Sequence, residues 1–303
     1  MARAMILQAA VPAFLLCLCG CKSMEVTRAK AIVGAILLDG QGGPPMSDSV
    51  VIVSDGRIEA AGPRSSIAIP QGADTVDGSS RYLVPIPIDV CPQAATPGMI
   101  RATTPEDARA QAEKLASSHP SVIHVASLAP TVAQAAMEAA RAASIPVIAH
   151  ISTEAEAEAM VAAGAAGLVG MIRDRDVDPA FASKLRDLRI FVAPALGSSP
   201  QNIDLARRNT LRLFQDGVPI TVATVGGSFM REAEALAAAG IPPLDIVVAA
   251  THNGAQALGR LANEGTIQPG KVANLMLLSA NPGEDIHNMQ RVFLRMTTSI
   301  WTR

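Results

Sequence analysis

Aromatic residues are scarce in this sequence: one Trp, one Tyr and six Phe in 303 residues. Charge is scarce as well, with Asp, Glu, Lys and Arg together making up 17% and a formal net charge of -2. A chain with neither a basic surplus nor stacking platforms carries no footprint for nucleic acid, and no such partner is expected. The apolar stretch near the N-terminus, Ala4 to Leu18, covers about fifteen residues, short of the roughly 20 that a spanning helix needs. Cysteine is limited to four positions. Three of them, Cys17, Cys19 and Cys21, lie at the very start. Cys91 is then the only free thiol in the body of the chain, and no internal disulfide is expected.

What the N-terminus does contain is a targeting pattern. Arg3 is the only charge before Lys22, and the apolar core between them has signal-peptide length. It ends Leu18-Cys19-Gly20-Cys21, which resembles a bacterial lipobox. Residues 1–21 are therefore read as a lipoprotein signal, with Cys21 lipidated and anchoring the mature chain to a membrane. An ordinary secretory signal or a membrane anchor is the alternative. Lys22, where an aspartate would favour inner-membrane retention, points to the outer membrane of the bacterial envelope, facing the periplasm.

The body of the chain has two textures. AIVGAILLDG, SVVIVSDGRIEAAG and ADTVDGSSRYLVP are short β runs punctuated by Asp-Gly, Gly-Gly and Gly-Pro turns. From Thr104 onward helical segments alternate with apolar runs: SVIHVASL, IPVIAHIS, AAGLVGMI, RIFVAPAL and VPITVATVGG. The first helix carries its own start signal, Thr104 as N-cap, Pro105 at the first helical position and acids in the first turn. This alternation predicts a parallel α/β fold, and its repetition favours a (β/α) barrel of the TIM type over an open sheet. Asp89, Cys91, His124, His150 and Thr224 fall near strand ends, the face on which such barrels build their sites. The last segment returns to strands, so a small β-sandwich made from both chain ends is expected. The expected division is 29–84 with 264–303 for the β domain and 85–263 for the barrel.

Several stretches then carry a family resemblance. VSDGRIEAAGP, DIVVAATHNGAQALG and GTIQPGKVANLMLLSANPGEDIHNMQRV resemble, in order, the strand-turn-strand, closing helix and returning β segment of the amidohydrolase superfamily. The imidazolonepropionase- and prolidase-like metal hydrolases are the nearest in pattern. The likeness runs from about Ala31 to Met296, although Asn274 replaces the aspartate of the P-G-K-x-A-D-L signature. The resemblance implies hydrolysis of carbon–nitrogen bonds other than peptide bonds. It also implies one or two divalent metals held by H-x-H on the first strand, a lysine on the fourth, histidines on the fifth and sixth, and an aspartate on the eighth.

Placed on this chain, that ligand set is largely replaced. The first-strand histidines fall at Cys91 and Gln93, the lysine at His124, the sixth-strand histidine near Gly170 and the basic aspartate at Val225. His150 is retained. Cys91, His124 and His150 form a zinc-competent set if their strands are neighbours; the alternative is a buried thiol and two hydrogen-bonded imidazoles. Asp89 is the remaining candidate base. Cys91 as a nucleophile, and Gly226-Gly227-Ser228 as an anion-binding turn, are minor possibilities. His252 is expected at a helix start in a structural role, and the Lys and Glu residues along the helices on solvated faces. About thirty residues separate Cys91 from the next strand, where an eight-fold barrel would fit two further units of roughly 30 residues each. About six barrel strands are thus expected, with an open edge that a second copy or another protein could cover. The expected function is a catalytically degenerate, amidohydrolase-like lipoprotein with a binding or scaffold role and no cofactor. The alternative is a divergent metal hydrolase with zinc. The ligand itself is not legible.

Overall fold

The computed structural model describes residues 29–91, 98–297 and 300–302. The expected signal segment, Cys21 and Gln93 lie outside these residues. Among the described residues no helix is long and apolar enough to cross a membrane.

The first texture folds as expected into strands: β1 (Lys30–Leu37), β2 (Met46–Ser54), β3 (Arg57–Pro63), β4 (Asp74–Asp77) and β5 (Tyr82–Pro85). Asp55-Gly56 turns β2 into β3 with both residues at positive φ, 48° and 78°. That is the two-residue turn whose twist matches flanking antiparallel strands. The chain end supplies β10 (Leu275–Leu278), β11 (Val292–Thr297) and β12 (Ile300–Thr302). These join the first five strands in one hydrogen-bonded sheet of order β12-β11-β10-β5-β1-β2-β3, with β4 also on β1. The two chain ends meet where β10 runs antiparallel to β5, Met276 opposite Val84. The expected sandwich is thus a single sheet by its hydrogen bonds, with apolar clusters such as Ile32, Val51 and Leu275 in one group and Ala31, Val50 and Ile52 in another.

The second texture gives four parallel strands, β6 (Ile123–Val125), β7 (Val147–His150), β8 (Gly167–Val169) and β9 (Phe191–Ala193), paired in chain order. Each is fed by a helix: α1 (Pro105–Ala116), α2 (Pro130–Ala142), α3 (Glu154–Ala163) and α4 (Pro179–Asp187). Their ends follow local chemistry. Thr104 accepts from the Asp107 N–H, Thr153 and Glu156 form a capping box, and Gly164 closes α3 in the left-handed conformation. After β9 come α5 (Ile203–Gln215), α6 (Phe229–Ala238), α7 (Pro243–Val248) and α8 (Gly254–Ala257). The ladder continues on one side through a parallel bridge from Val192 to Ile220 and a bond from the Val90 N–H to the Val222 carbonyl. On the other side Ile100 bridges Val125. The sheet is not closed: among the described residues no backbone hydrogen bond joins the Ile88–Val90 segment to Ile100 or β6.

Three local expectations are corrected. The helix expected from Asn209 begins at Ile203, because Asn209 is turned inward: its side chain accepts from the Val177 N–H and donates to the Ile172 and Arg175 carbonyls. His252 does not start a helix; it lies in a π turn, Ala249–Asn253, between α7 and α8. The backbone acceptors in that turn are taken by neighbouring segments, Ala249 by the Thr221 hydroxyl and Ala250 by the Ile88 N–H. Nor do all helical acids face water, since Glu154 and Glu232 are buried.

Candidate metal centre

The Ile88–Val90 segment, β6 and β7 each deliver one polar side chain to the same end of the sheet. Beneath them lies an apolar cluster that includes Val90, Ile148, Val169, Phe191 and Ala223. Cys91 Sγ lies 3.7 Å from His150 Nε2, and His150 Nε2 lies 3.4 Å from His124 Nδ1. One ligand atom from each of the three residues falls within 4.8 Å of the others. Tetrahedral zinc with ordinary bond lengths would set its nitrogens about 3.3 Å apart and sulfur about 3.5 Å from nitrogen. The donor set is one soft sulfur and two imidazoles, which suits zinc among the common divalent ions.

Burial sets the charge of all three. Cys91 is 1% and His124 4% exposed, and His150 is only slightly more open. Desolvation, reinforced by the nearby Asp89 carboxylate, pushes the Cys91 thiol up to about 11. Desolvation also lowers His150 to about 4, helped by His124 and Arg101, and it lowers His124 against the opposing pull of Asp89 and the Val90 backbone. With no cation present the trio is therefore a neutral thiol and two neutral imidazoles. Neutral imidazole is the ligating form, and a cation would reverse the penalty on thiolate.

Asp89 stands next to this group but is fully engaged. Its Oδ1 accepts the Cys91 N–H at 2.9 Å and the Thr224 N–H at 3.1 Å, and its Oδ2 accepts the Thr224 hydroxyl. This carboxylate fastens the two segments that cross the Val90–Val222 bond.

The other expected positions are bare. Gly170 has φ of 103°, and a Cβ there would come within 2.2 Å of the Ile151 carbonyl oxygen. Val225, in the place of the basic aspartate, packs half-buried against the apolar cluster. Gly226 and Gly227 lead into Ser228, whose hydroxyl caps α6 by accepting the Arg231 N–H, so that turn serves the helix start. His252 pairs with its neighbour, Nδ1 to Asn253 Oδ1 at 3.0 Å.

One buried acid escaped the sequence reading. Glu232 is 2% exposed and accepts the Leu196 and Gly197 N–H groups, at 3.0 and 2.7 Å. Desolvation raises it to about 7, against those two bonds and the Arg173 charge. The only available signal was its place on α6, among Phe229, Ala233 and Leu236 at helical spacing.

Comparison with known proteins agrees with this geometry. Residues 184–298 match the amidohydrolase family. The fold is similar to a Bifidobacterium longum protein assigned as a prolidase, with a TM-score of 0.78 at 19% identity over 91% of this chain and 95% of that one. It is similar to phenylurea hydrolase B, with a TM-score of 0.78 at 16% identity over 90% and 96%. A Xaa-Pro dipeptidase with methionine bound in its active site gives 0.77 at 12% identity over 91% and 100%. At these identities the structural likeness speaks for the fold alone. No curated protein sequence matches the chain.

Proposed function

From the chain's membership of the amidohydrolase superfamily, supported by the family match and the shared fold, we propose a metal-binding, catalytically degenerate member held on the bacterial envelope through a lipid on Cys21. The observation that carries the metal is the convergence of Cys91, His124 and His150 within 4.8 Å. A divalent cation there would supply Lewis acidity and a bound water of lowered pKa.

The rest of the chemistry depends on the chain's own groups. Cys91, His124 and His150 present three ligands and leave one position open to water or to a ligand. A hydrolytic cycle also needs a base within hydrogen-bond reach of that water. Val225 has no ionisable group, and Asp89 already takes three hydrogen bonds from Cys91 and Thr224. Binding at the open position, without turnover, is what this residue set supports.

Metal analysis of the purified chain is expected to find about one zinc, and none in His150→Ala. Cobalt-loaded protein should show a sulfur-to-cobalt charge-transfer band that Cys91→Ser removes. Wild type without bound metal would sink the proposal. Zinc-loaded protein that turns over dipeptides or N-acyl amino acids would replace it with the divergent hydrolase reading, which rests on the same open position. Radiolabelled fatty acid incorporated into wild type but not into Cys21→Ser tests the anchor.

A further inference from the structure

The open side of the sheet is not filled. Elsewhere consecutive parallel strands are hydrogen-bonded neighbours: β6 to β7, β7 to β8 and β8 to β9. The Ile88–Val90 segment and β6 are also consecutive and point the same way, yet no backbone bond joins them among the described residues. A cavity of about 380 Å³ lies between them. That volume falls within the range of small-molecule sites, roughly 300–1,000 Å³.

The cavity has a direction. Ser121 and Val122 precede β6, and Leu258 and Arg260 follow α8, so its mouth is at the end of the sheet opposite Cys91 and His150. Asp89 and His124 line its inner end. Leu115, Val122 and Leu258 make the wall between mouth and inner end largely apolar. Polar demand at the inner end is already met for Asp89 by its three hydrogen bonds.

The mouth carries one unspent donor. Arg260 pairs through Nη1 with Glu264 at 3.0 Å, but its Nε is shielded from solvent and has no hydrogen-bond partner. Buried donors without acceptors are rare in folded proteins, and a guanidinium Nε suits a carboxylate oxygen. His124, the other basic group on the lining, is held neutral by burial. Arg260 is therefore the only cationic group there.

We propose that this lateral cavity is a binding site for a small amphipathic carboxylate, its head on Arg260 and its apolar body against Leu115, Val122 and Leu258. The site stands apart from the metal reading. It needs no cation on Cys91, and it opens away from the strand ends where relatives of this fold work. It would place a ligand against one face of His124 while the other side of the metal position stays open.

Calorimetric titration of the metal-free chain with hexanoate, hexan-1-ol and hexylammonium is the test. Hexanoate is expected to bind at least tenfold more tightly than hexanol, with hexylammonium weakest. Arg260→Gln should bring hexanoate down to the level of hexanol and leave hexanol unchanged. Ser121→Trp, at an exposed position on the mouth, should block both without burdening the core. If none of the three probes binds wild type, or if Arg260→Gln leaves hexanoate unaffected, the site is refuted. Zinc content in these variants reads the metal proposal separately, since neither substitution touches Cys91, His124 or His150.

Discussion

One face of the parallel sheet shows two ways of departing from the amidohydrolase ligand pattern. Around Cys91, His124 and His150 the backbone still aims side chains at a common point, and only the identity of the ligands differs. Around Gly170 the backbone itself has changed: positive φ and the Ile151 carbonyl at 2.2 Å from any Cβ leave no room for a side chain. Val225 belongs to neither group, since its side chain is present and half-buried but carries no charge. A ligand lost by side-chain exchange can return in one step, whereas one lost by rebuilding the chain cannot. The first region keeps a capacity for metal, and the second fixes the loss of a full family site.

The strongest way to break this comparison is to put side chains back. Gly170→Ala must strain a left-handed residue and displace a packed backbone carbonyl, and is expected to cost about 3 kcal/mol or more. Val225→Asp meets no such obstacle and should cost about 1 kcal/mol, the ordinary scale of a point substitution. Denaturant titration of both variants measures the difference. Equal costs would mean that Gly170 is as open to reversion as Val225, and the distinction would fall.

The first region was legible in sequence because its signals are local. Thr104, Pro105 and the Thr153–Glu156 pair announce helix starts, and Cys91, His124 and His150 each close an apolar run. Their convergence was not legible, because it depends on which strands are neighbours. Glu232 was misread for the same reason. Its solvation depends on the Leu196–Gly197 backbone, 35 residues earlier, folding over it. Asn209 and His252 repeat the lesson. An inward amide hides the true start of α5, and a π turn carries the helix through His252 because Thr221 and Ile88 take its freed carbonyls.

Glu232 also gives the comparison a pH signature. Unfolded, its carboxyl ionises near 4.5; folded, it keeps its proton until about 7. Between those values the folded state holds more protons, so the contribution of Glu232 to stability falls as pH rises, by about 3 kcal/mol at 1.36 kcal/mol per unit. Asp89 adds to the rise in its pKa and Arg173 opposes it. In metal-free protein His150 acts in the other direction, because its lowered pKa makes folding more favourable as pH rises from about 4 toward 6.5. The two effects mask each other in wild type. Glu232→Gln isolates the first: it loses one acceptor and is less stable at pH 5, and the gap to wild type should narrow steadily toward pH 8. A gap in melting temperature that stays constant with pH would show that Glu232 is ionised throughout.

The smallest effect lies in the cap behind His150. Glu156 Oε2 gathers the Ser152 N–H at 2.7 Å, the Ser152 hydroxyl at 2.9 Å and the Thr153 N–H at 3.0 Å, while Thr153 Oγ1 accepts the Glu156 N–H at 3.3 Å. These bonds fix the chain within three residues of His150, just where β7 gives way to α3. Thr153→Ala removes only the last of them, so about 1 kcal/mol of stability should go, the usual worth of an N-cap. The imidazole is positioned by the strand before the cap as well as by the cap itself. Zinc affinity should therefore weaken no more than about tenfold, the lower end for removing a group that orients a ligand. Competition with a chromophoric chelator resolves a change of that size. A collapse of metal binding in Thr153→Ala, comparable with His150→Ala, would show that the cap and not the strand aims His150, and that this side of the sheet is less rigidly built than its geometry implies.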